Sequence, residues 1–385
     1  MDFWRNQLSG PTNPTVDAAW EHPEPRKGFF TDTSICIGCK ACEVACKEWN
    51  AIPEDGLDML VQSYDNTGAL GASTWRHVAF VEQSSERIEQ ARESGRRLVA
   101  LGMPGLRGVD DTTPPGGLLS GTTEPGILGT EAPGPAAPGI PDMRWLMSSD
   151  VCKHCTHAAC LDVCPTGALF RTEFGTVVVQ DDVCNGCGYC VAACPFGVIE
   201  RRSGDEGHEK APQSHGISIR GSSASAAVDA KGPSNGASTT TSSTPSVGSA
   251  HAEHNGEVKN VGIAQKCTLC YDRLGDGQTP ACAKACPTTS IKFGDLDDMR
   301  AAASERVAQL HAQGLTEARL YGTDPHDGVG GTGSVFLLLD EPEVYGLPPD
   351  PRVTTADLPD MFRKAAYAGV SMLAMAAIAF VRRRR

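Results

Sequence analysis

The sequence predicts an α+β protein built from two related modules, one inserted in the other, followed by a C-terminal transmembrane helix. Three observations carry this expectation. The 16 cysteines of the 385-residue chain fall into four tight groups of four, with none left over. After the last cysteine of three groups comes a proline and a short apolar return: CPTGAL at Cys164, CPFGVI at Cys194 and CPTTSI at Cys286. A unit repeated in this way points to one supersecondary module reused. Finally, the run from Ala365 to Val381 carries no charge.

Composition bounds the rest. Lys plus Arg total 34 against 47 for Asp plus Glu, a net charge of −13 that argues against nucleic acid as the main partner. The chain is long enough for an ample core, and its cysteine content is below that of a short disulfide scaffold. The N-terminal stretch MDFWRNQLSGPTNPTVDAAW has no apolar run and no arginine pair, so neither a Sec nor a twin-arginine signal is expected.

Along the chain, residues 1–30 form an N-terminal extension, and residues 31–101 with 264–300 form the outer module. Within the first part, Thr74 to Glu82 (TWRHVAFVE) predicts a strand, and Ser84 to Leu98 a charged helix. Residues 102–143 follow as a Gly/Pro-rich loop, because nearly every second position from Gly102 to Pro141 is Gly or Pro, too many for a regular element. Residues 144–202 form the inner module, in which ALFRTEFGTVVVQ alternates around a turn at Thr172 to Gly175 and predicts a hairpin. Residues 203–260 form a low-complexity insertion, since most positions from Gly221 to Ala250 are Gly, Ser, Ala or Thr. His208, His215, His251 and His254 lie in it and read as solvent-exposed. Residues 301–362 form a helix and strand extension, its helix read over Asp297 to Gln313 and its buried strand over Ser334 to Leu339. Residues 363–385 close the chain as a membrane anchor and basic tail. At about 1.5 Å per residue the uncharged run reaches roughly 25 Å, the short limit for a span. Arg382 to Arg385 outweigh Arg363 and Lys364, so the tail is expected in the cytoplasm and the body outside it.

The chemistry lies in the cysteine spacing. Cys36, Cys39, Cys42, Cys46 and Cys184, Cys187, Cys190, Cys194 are both C-x2-C-x2-C-x3-C, the bacterial ferredoxin ligand run. Cys152, Cys155, Cys160, Cys164 widen the middle gap to four positions, and Cys267, Cys270, Cys282, Cys286 widen it to eleven. Two residues between ligands let one tight loop aim three thiolates at one cluster, while the fourth cysteine is carried away toward a neighbouring cluster. A disulfide framework has no use for three cysteines packed so closely. Four structural zinc sites share the ligand count but not the ferredoxin spacing. Four complete groups therefore predict four [4Fe-4S] clusters in two ferredoxin-like two-cluster modules.

Exchange of each fourth cysteine pairs the groups. The second and third groups are close in sequence and form one module. One cluster would be held by Cys152, Cys155, Cys160 and Cys194, the other by Cys184, Cys187, Cys190 and Cys164. The first and fourth groups pair by elimination. Cys36, Cys39, Cys42 and Cys286 would hold one cluster, and Cys267, Cys270, Cys282 and Cys46 the other. Gly38, Gly186 and Gly188 allow close backbone approach to the sulfurs. Asp181 and Asp182 read as a solvated turn, and Trp75 and Trp145 as packing anchors. No phosphate loop, HExxH or serine-nucleophile motif is present, so no catalytic residue is expected.

The segments GFFTDTSICIGCKACEVACKEWN, SDVCKHCTHAACLDVCPTGALFRTEFGTVVVQDDVCNGCGYCVAACPFGVIE and QKCTLCYDRLGDGQTPACAKACPTTSIKFG resemble the four-cluster iron–sulfur (beta) subunits of molybdenum or tungsten oxidoreductases, above all those of formate dehydrogenase. The resemblance implies an electron-transfer subunit. It would take electrons from a molybdopterin-containing catalytic alpha subunit that oxidises formate, entering at the pair formed by the first and fourth groups. The electrons would leave by the middle pair toward a membrane cytochrome b or another quinone-reducing gamma subunit. The equivalent subunit of a dimethyl sulfoxide, thiosulfate or tetrathionate enzyme is the alternative. The C-terminal run fits the single transmembrane helix of membrane-bound formate dehydrogenase beta subunits, whereas the Gly/Ser/Thr-rich insertion has no counterpart in the family pattern.

Overall fold

The computed structural model describes residues 18–54, 65, 67–100, 143–204, 258–355 and 357–383. The Gly/Pro-rich loop expected at 102–143 and the low-complexity insertion expected at 203–260, with its four histidines, lie almost wholly outside the described residues.

Strand β1 (Lys27–Asp32) is the hub of a four-stranded sheet. It runs antiparallel to β8 (Ile291–Asp295) and parallel to β10 (Ser334–Leu338), which pairs antiparallel with β9 (Arg319–Tyr321). The two inner strands, KGFFTD and SVFLL, are buried on both faces, as near-continuous apolar runs require. One long helix covers the sheet. It spans Leu296–Ala312 and buries Leu296, Ala303, Val307 and Leu310, a stripe at helical spacing. The expected strand at Ser334 and the expected helix at Asp297 are this β10 and this helix.

A second pair carries the chain into the second cysteine group. β2 (Arg76–Ser84) and β3 (Met143–Val151) are antiparallel along their whole length, from Arg76 opposite Val151 to Ser84 opposite Met143. β2 is the strand expected at Thr74, shifted slightly toward the C-terminus, and it runs straight into a helix at Ser85–Ala100. The predicted hairpin forms from β4 (Leu169–Arg171) and β5 (Val177–Val179), closed by the Gly175 amide on the Thr172 carbonyl at 2.9 Å. β6 (Glu200–Arg201) and β7 (Ala264–Gln265) pair across the undescribed segment between them.

In chain order the helices are α1 (Ala41–Trp49), α2 (Ser85–Ala100), α3 (Ala159–Asp162), α4 (Tyr189–Ala193), α5 (Tyr271–Gly275), α6 (Ala281–Ala285), α7 (Leu296–Ala312) and α8 (Leu358–Arg383). α1 packs on α6, and α3 on α4.

The C-terminal expectation is corrected. α8 forms, with 26 residues, but among the described residues no helix is long and apolar enough to cross a membrane. Its ends carry Asp360, Arg363, Lys364 and Arg382, and alanine is the commonest residue between them. Length and absence of charge suggested a span, but alanine supplies little transfer free energy. The transmembrane part of the predicted fold class, the membrane contact through this helix and the anchored location with its body outside the cytoplasm all fall with it.

Candidate metal centres

Each cysteine group is a loop leading into a short helix, and the loop has one recurring kink. The residue just before the second cysteine is left-handed in all four groups: Gly38 (φ 65°), His154 (φ 44°), Gly186 (φ 72°) and Leu269 (φ 60°). In the first and third groups glycine takes this conformation at no steric cost. In the second and fourth a buried histidine and a buried leucine accept it, at roughly 1–2 kcal/mol each. His154 is held there because its Nδ1 accepts the Val177 amide at 3.1 Å.

The returns after the fourth cysteines have a second role. Proline has no N–H, so the first amides able to turn back come later. Burial pushes the Cys164 thiol up, but the amides of Leu169, Thr166 and Ala168 and the Thr166 hydroxyl outweigh it, and the thiol is held below its ordinary value. Burial keeps Cys194 above its ordinary value, but the amides of Val198 and Phe196 oppose it, and Thr288 Oγ1 lies 3.8 Å from Cys286. The repeated return is thus a cap of hydrogen-bond donors for one sulfur, an arrangement suited to an anionic ligand.

The sixteen thiols have well-defined neighbours. Burial raises the pKa of Cys36 against the Gly38 amide, which lowers it, and the adjacent charges of Cys42, Cys286 and Cys39 add to the rise. Around Cys46 the same causes act: burial, then Cys267, Cys282 and Cys270. Cys155 is raised by burial, then by Cys152, Cys194 and Cys160. Burial, then Cys184, Cys187 and Cys164, push Cys190 up to about 11. Two further electrostatic neighbours join these sets: the Cys282 charge raises Cys42, and that of Cys152 raises Cys267, in both cases after burial. Among the described residues, no three His, Cys, Asp or Glu side chains converge closely enough to hold a single metal ion. Four thiols gathered as neighbours in each set, with amide donors at Cys164, fit an anionic iron–sulfur group.

Exposure follows the same order. Only Cys39 and Cys187 are exposed, while Cys42, Cys46, Cys152, Cys190, Cys267, Cys270 and Cys282 are buried. The wide gap of the fourth group forms α5, whose Asp272 and Arg273 clasp Trp49 at the end of α1. Asp181, expected in a solvated turn, accepts the Gln265 amide at 2.9 Å and so helps tie β7 to the third group.

Sequence reasoning missed the buried cations. Arg76 is 1% exposed and fully enclosed among thiols. Lys153 packs over Phe336 and Phe196 and binds Asp150. Lys266 donates to the carbonyls of Val177 and Cys267, and Arg171 to that of Cys155 at 2.7 Å. The available signal was position: a basic residue beside a cysteine (Lys153, Lys266), or one inside an apolar strand (Arg76).

Thiol sets of this kind, with amide-capped sulfurs and buried cations, define an iron–sulfur electron carrier. The 4Fe-4S dicluster domain matches residues 143–213 and 252–296. The formate dehydrogenase iron-sulfur subunit of Haemophilus influenzae is 30% identical over 90% of this chain and 77% of its own length. The nitrate-inducible formate dehydrogenase iron-sulfur subunit of Escherichia coli is 30% identical over 84% of this chain and 73% of its own length. The thiosulfate reductase electron transfer subunit PhsB of Salmonella typhi is 28% identical over 69% of this chain and 74% of its own length. The chain belongs to the family of formate dehydrogenase iron–sulfur subunits, and its cofactors are four [4Fe-4S] clusters.

Proposed function

We propose that this protein passes electrons from formate oxidation, at a molybdopterin-containing catalytic subunit, to an acceptor subunit. The observation that carries the proposal is the exposure pattern. The two exposed cysteines, Cys39 and Cys187, lie in the first and third groups, and Cys42, Cys282, Cys267 and Cys152, which link three of the sets, are buried. A conductor needs accessible ends and an enclosed middle, because water raises the reorganisation cost of each transfer and admits side reactions.

The ligand sets follow the thiol neighbours. Cys36, Cys39, Cys42 and Cys286 would hold one cluster; Cys46, Cys267, Cys270 and Cys282 a second; Cys152, Cys155, Cys160 and Cys194 a third; and Cys164, Cys184, Cys187 and Cys190 a fourth. When bound, the clusters supply one-electron storage. The chain's own residues orient the sulfurs, exclude water and fix the surrounding charge. Entry at the Cys39 end and exit at the Cys187 end is the direction that agrees with the family resemblance.

Purification of the native complex tests this reading. A large pterin-containing partner, formate-dependent dye reduction and about 16 iron atoms per chain are expected. About four zinc atoms per chain, or activity with thiosulfate or a sulfoxide in place of formate, would overturn it.

A further inference from the structure

Arg76 is the most deeply enclosed cation of the described residues that has no carboxylate partner. It opens β2 opposite Val151, next to Cys152. Its Nη1 donates to Ser149 Oγ at 3.0 Å and to the Ser149 carbonyl at 3.4 Å, and the guanidinium lies 4.7 Å from the centre of the Phe29 ring. Nε and Nη2 have no hydrogen-bond partner, and the Cys282 thiol lies beside the guanidinium. A buried guanidinium with two such donors is costly unless negative charge faces it. The groups that face it are thiols: Cys282, Cys42, Cys267 and Cys46. Ser149 Oγ, which Arg76 grips, also lies 3.2 Å from the Cys42 sulfur.

We propose that Arg76 is a positioning residue for electrons: its fixed charge, beside Cys42, Cys46, Cys267 and Cys282, raises the electron affinity of the two clusters those thiols would hold. This rests on the functional reading above. An electron from formate oxidation adds one negative charge beside the guanidinium. No bond forms or breaks and no proton moves, because arginine stays protonated throughout. Lys266 and Lys153 differ, since their ammonium groups are satisfied by backbone carbonyls or Asp150.

The test uses the purified complex with the full chain carrying Arg76→Gln, Arg76→Lys or Ser149→Ala. Iron and acid-labile sulfide are measured first, followed by mediator-equilibrated redox titration read by electron paramagnetic resonance. With iron retained, Arg76→Gln is expected to make one-electron reduction of two of the four centres at least tenfold less favourable, equivalent to about 59 mV. Arg76→Lys should recover most of that shift. Full iron with four unmoved potentials overturns the proposal while leaving the functional reading intact; zinc without iron in the unaltered chain overturns both. If Arg76→Gln does not fold, Ser149→Ala decides. A smaller negative shift confined to the same two centres supports the proposal, and none overturns it.

Discussion

Trp49 Nε1 donates to Asp272 Oδ2 at 2.7 Å across a long stretch of sequence, and the Arg273 guanidinium stacks 4.1 Å from the Trp49 ring centre. Arg273 is in turn fixed by the Thr279 carbonyl at 2.7 Å. The lobe that widens the fourth cysteine group therefore clamps the helix that ends the first.

That clamp gives the first prediction. Trp49→Ala removes a hydrogen bond to a charged group and a cation–π contact, at a half-exposed site. The expected loss is about 1–3 kcal/mol of stability. Thermal unfolding and the rate of iron release to a chelator measure it. The iron held by Cys46, Cys267, Cys270 and Cys282 should leave first.

Exchange of fourth cysteines gives the second. Cys164→Ala should remove the centre held with Cys184, Cys187 and Cys190, lowering iron from about 16 to about 12 atoms per chain. The resonance signal lost identifies the set. Selective loss of the Cys152 centre would refute the exchange.

Two left-handed glycines give a matched pair. At Gly186 (φ 72°) an added Cβ would lie 2.5 Å from the Gly262 carbonyl oxygen, a backbone atom that cannot yield cheaply. At Gly197 (φ 62°) it would meet nothing within 4 Å. Gly197→Ala should cost only the backbone strain of about 1–2 kcal/mol, and Gly186→Ala clearly more. Equal melting shifts for the two variants would contradict the close approach.

Buried thiols give a pH dependence for the cluster-free chain. Burial is the main cause that pushes Cys42 up to about 11 and Cys160 up to about 12, from an ordinary value of 9.0. A folded-state pKa above the unfolded one means that the folded chain holds its protons longer. The associated stability is complete below about pH 9 and is lost as pH rises through about 11 to 12. Denaturant unfolding of the cluster-free chain should therefore show lower stability at about pH 10.5 than at about pH 8. Iron loading at neutral pH should release protons, because the ligands are thiolates.

Local order was legible in the residues, and long-range order was not. The cysteine spacings, the hairpin around Gly175 and the helix at Leu296 are short-range signals, and each is present. The sheet order β8-β1-β10-β9 joins Phe29 to Phe293 and Ser334, and no local pattern announces a partner so distant. The left-handed kinks at His154 and Leu269 were hidden because the usual glycine marker is missing. Arg76 lies inside the predicted strand with no motif to mark it, and only the fold brings four thiols near it. α8 was misread because an uncharged run of near-spanning length, flanked by basic residues, was given more weight than the modest apolarity of its alanines.

The central place of β1 also bears on how the molecule is made. A ribosome releases Lys27–Asp32 early, yet both sheet neighbours of that strand, Ile291–Asp295 and Ser334–Leu338, come far later in the chain. The thiol of Cys36 likewise waits for Cys286. At a synthesis rate of about 5–20 residues per second, that wait is on the order of 12–50 s. Through that interval the first cysteines are synthesised but have no completed pocket. Those early thiols must stay reduced until their later partners arrive, because an oxidised cysteine cannot ligate iron.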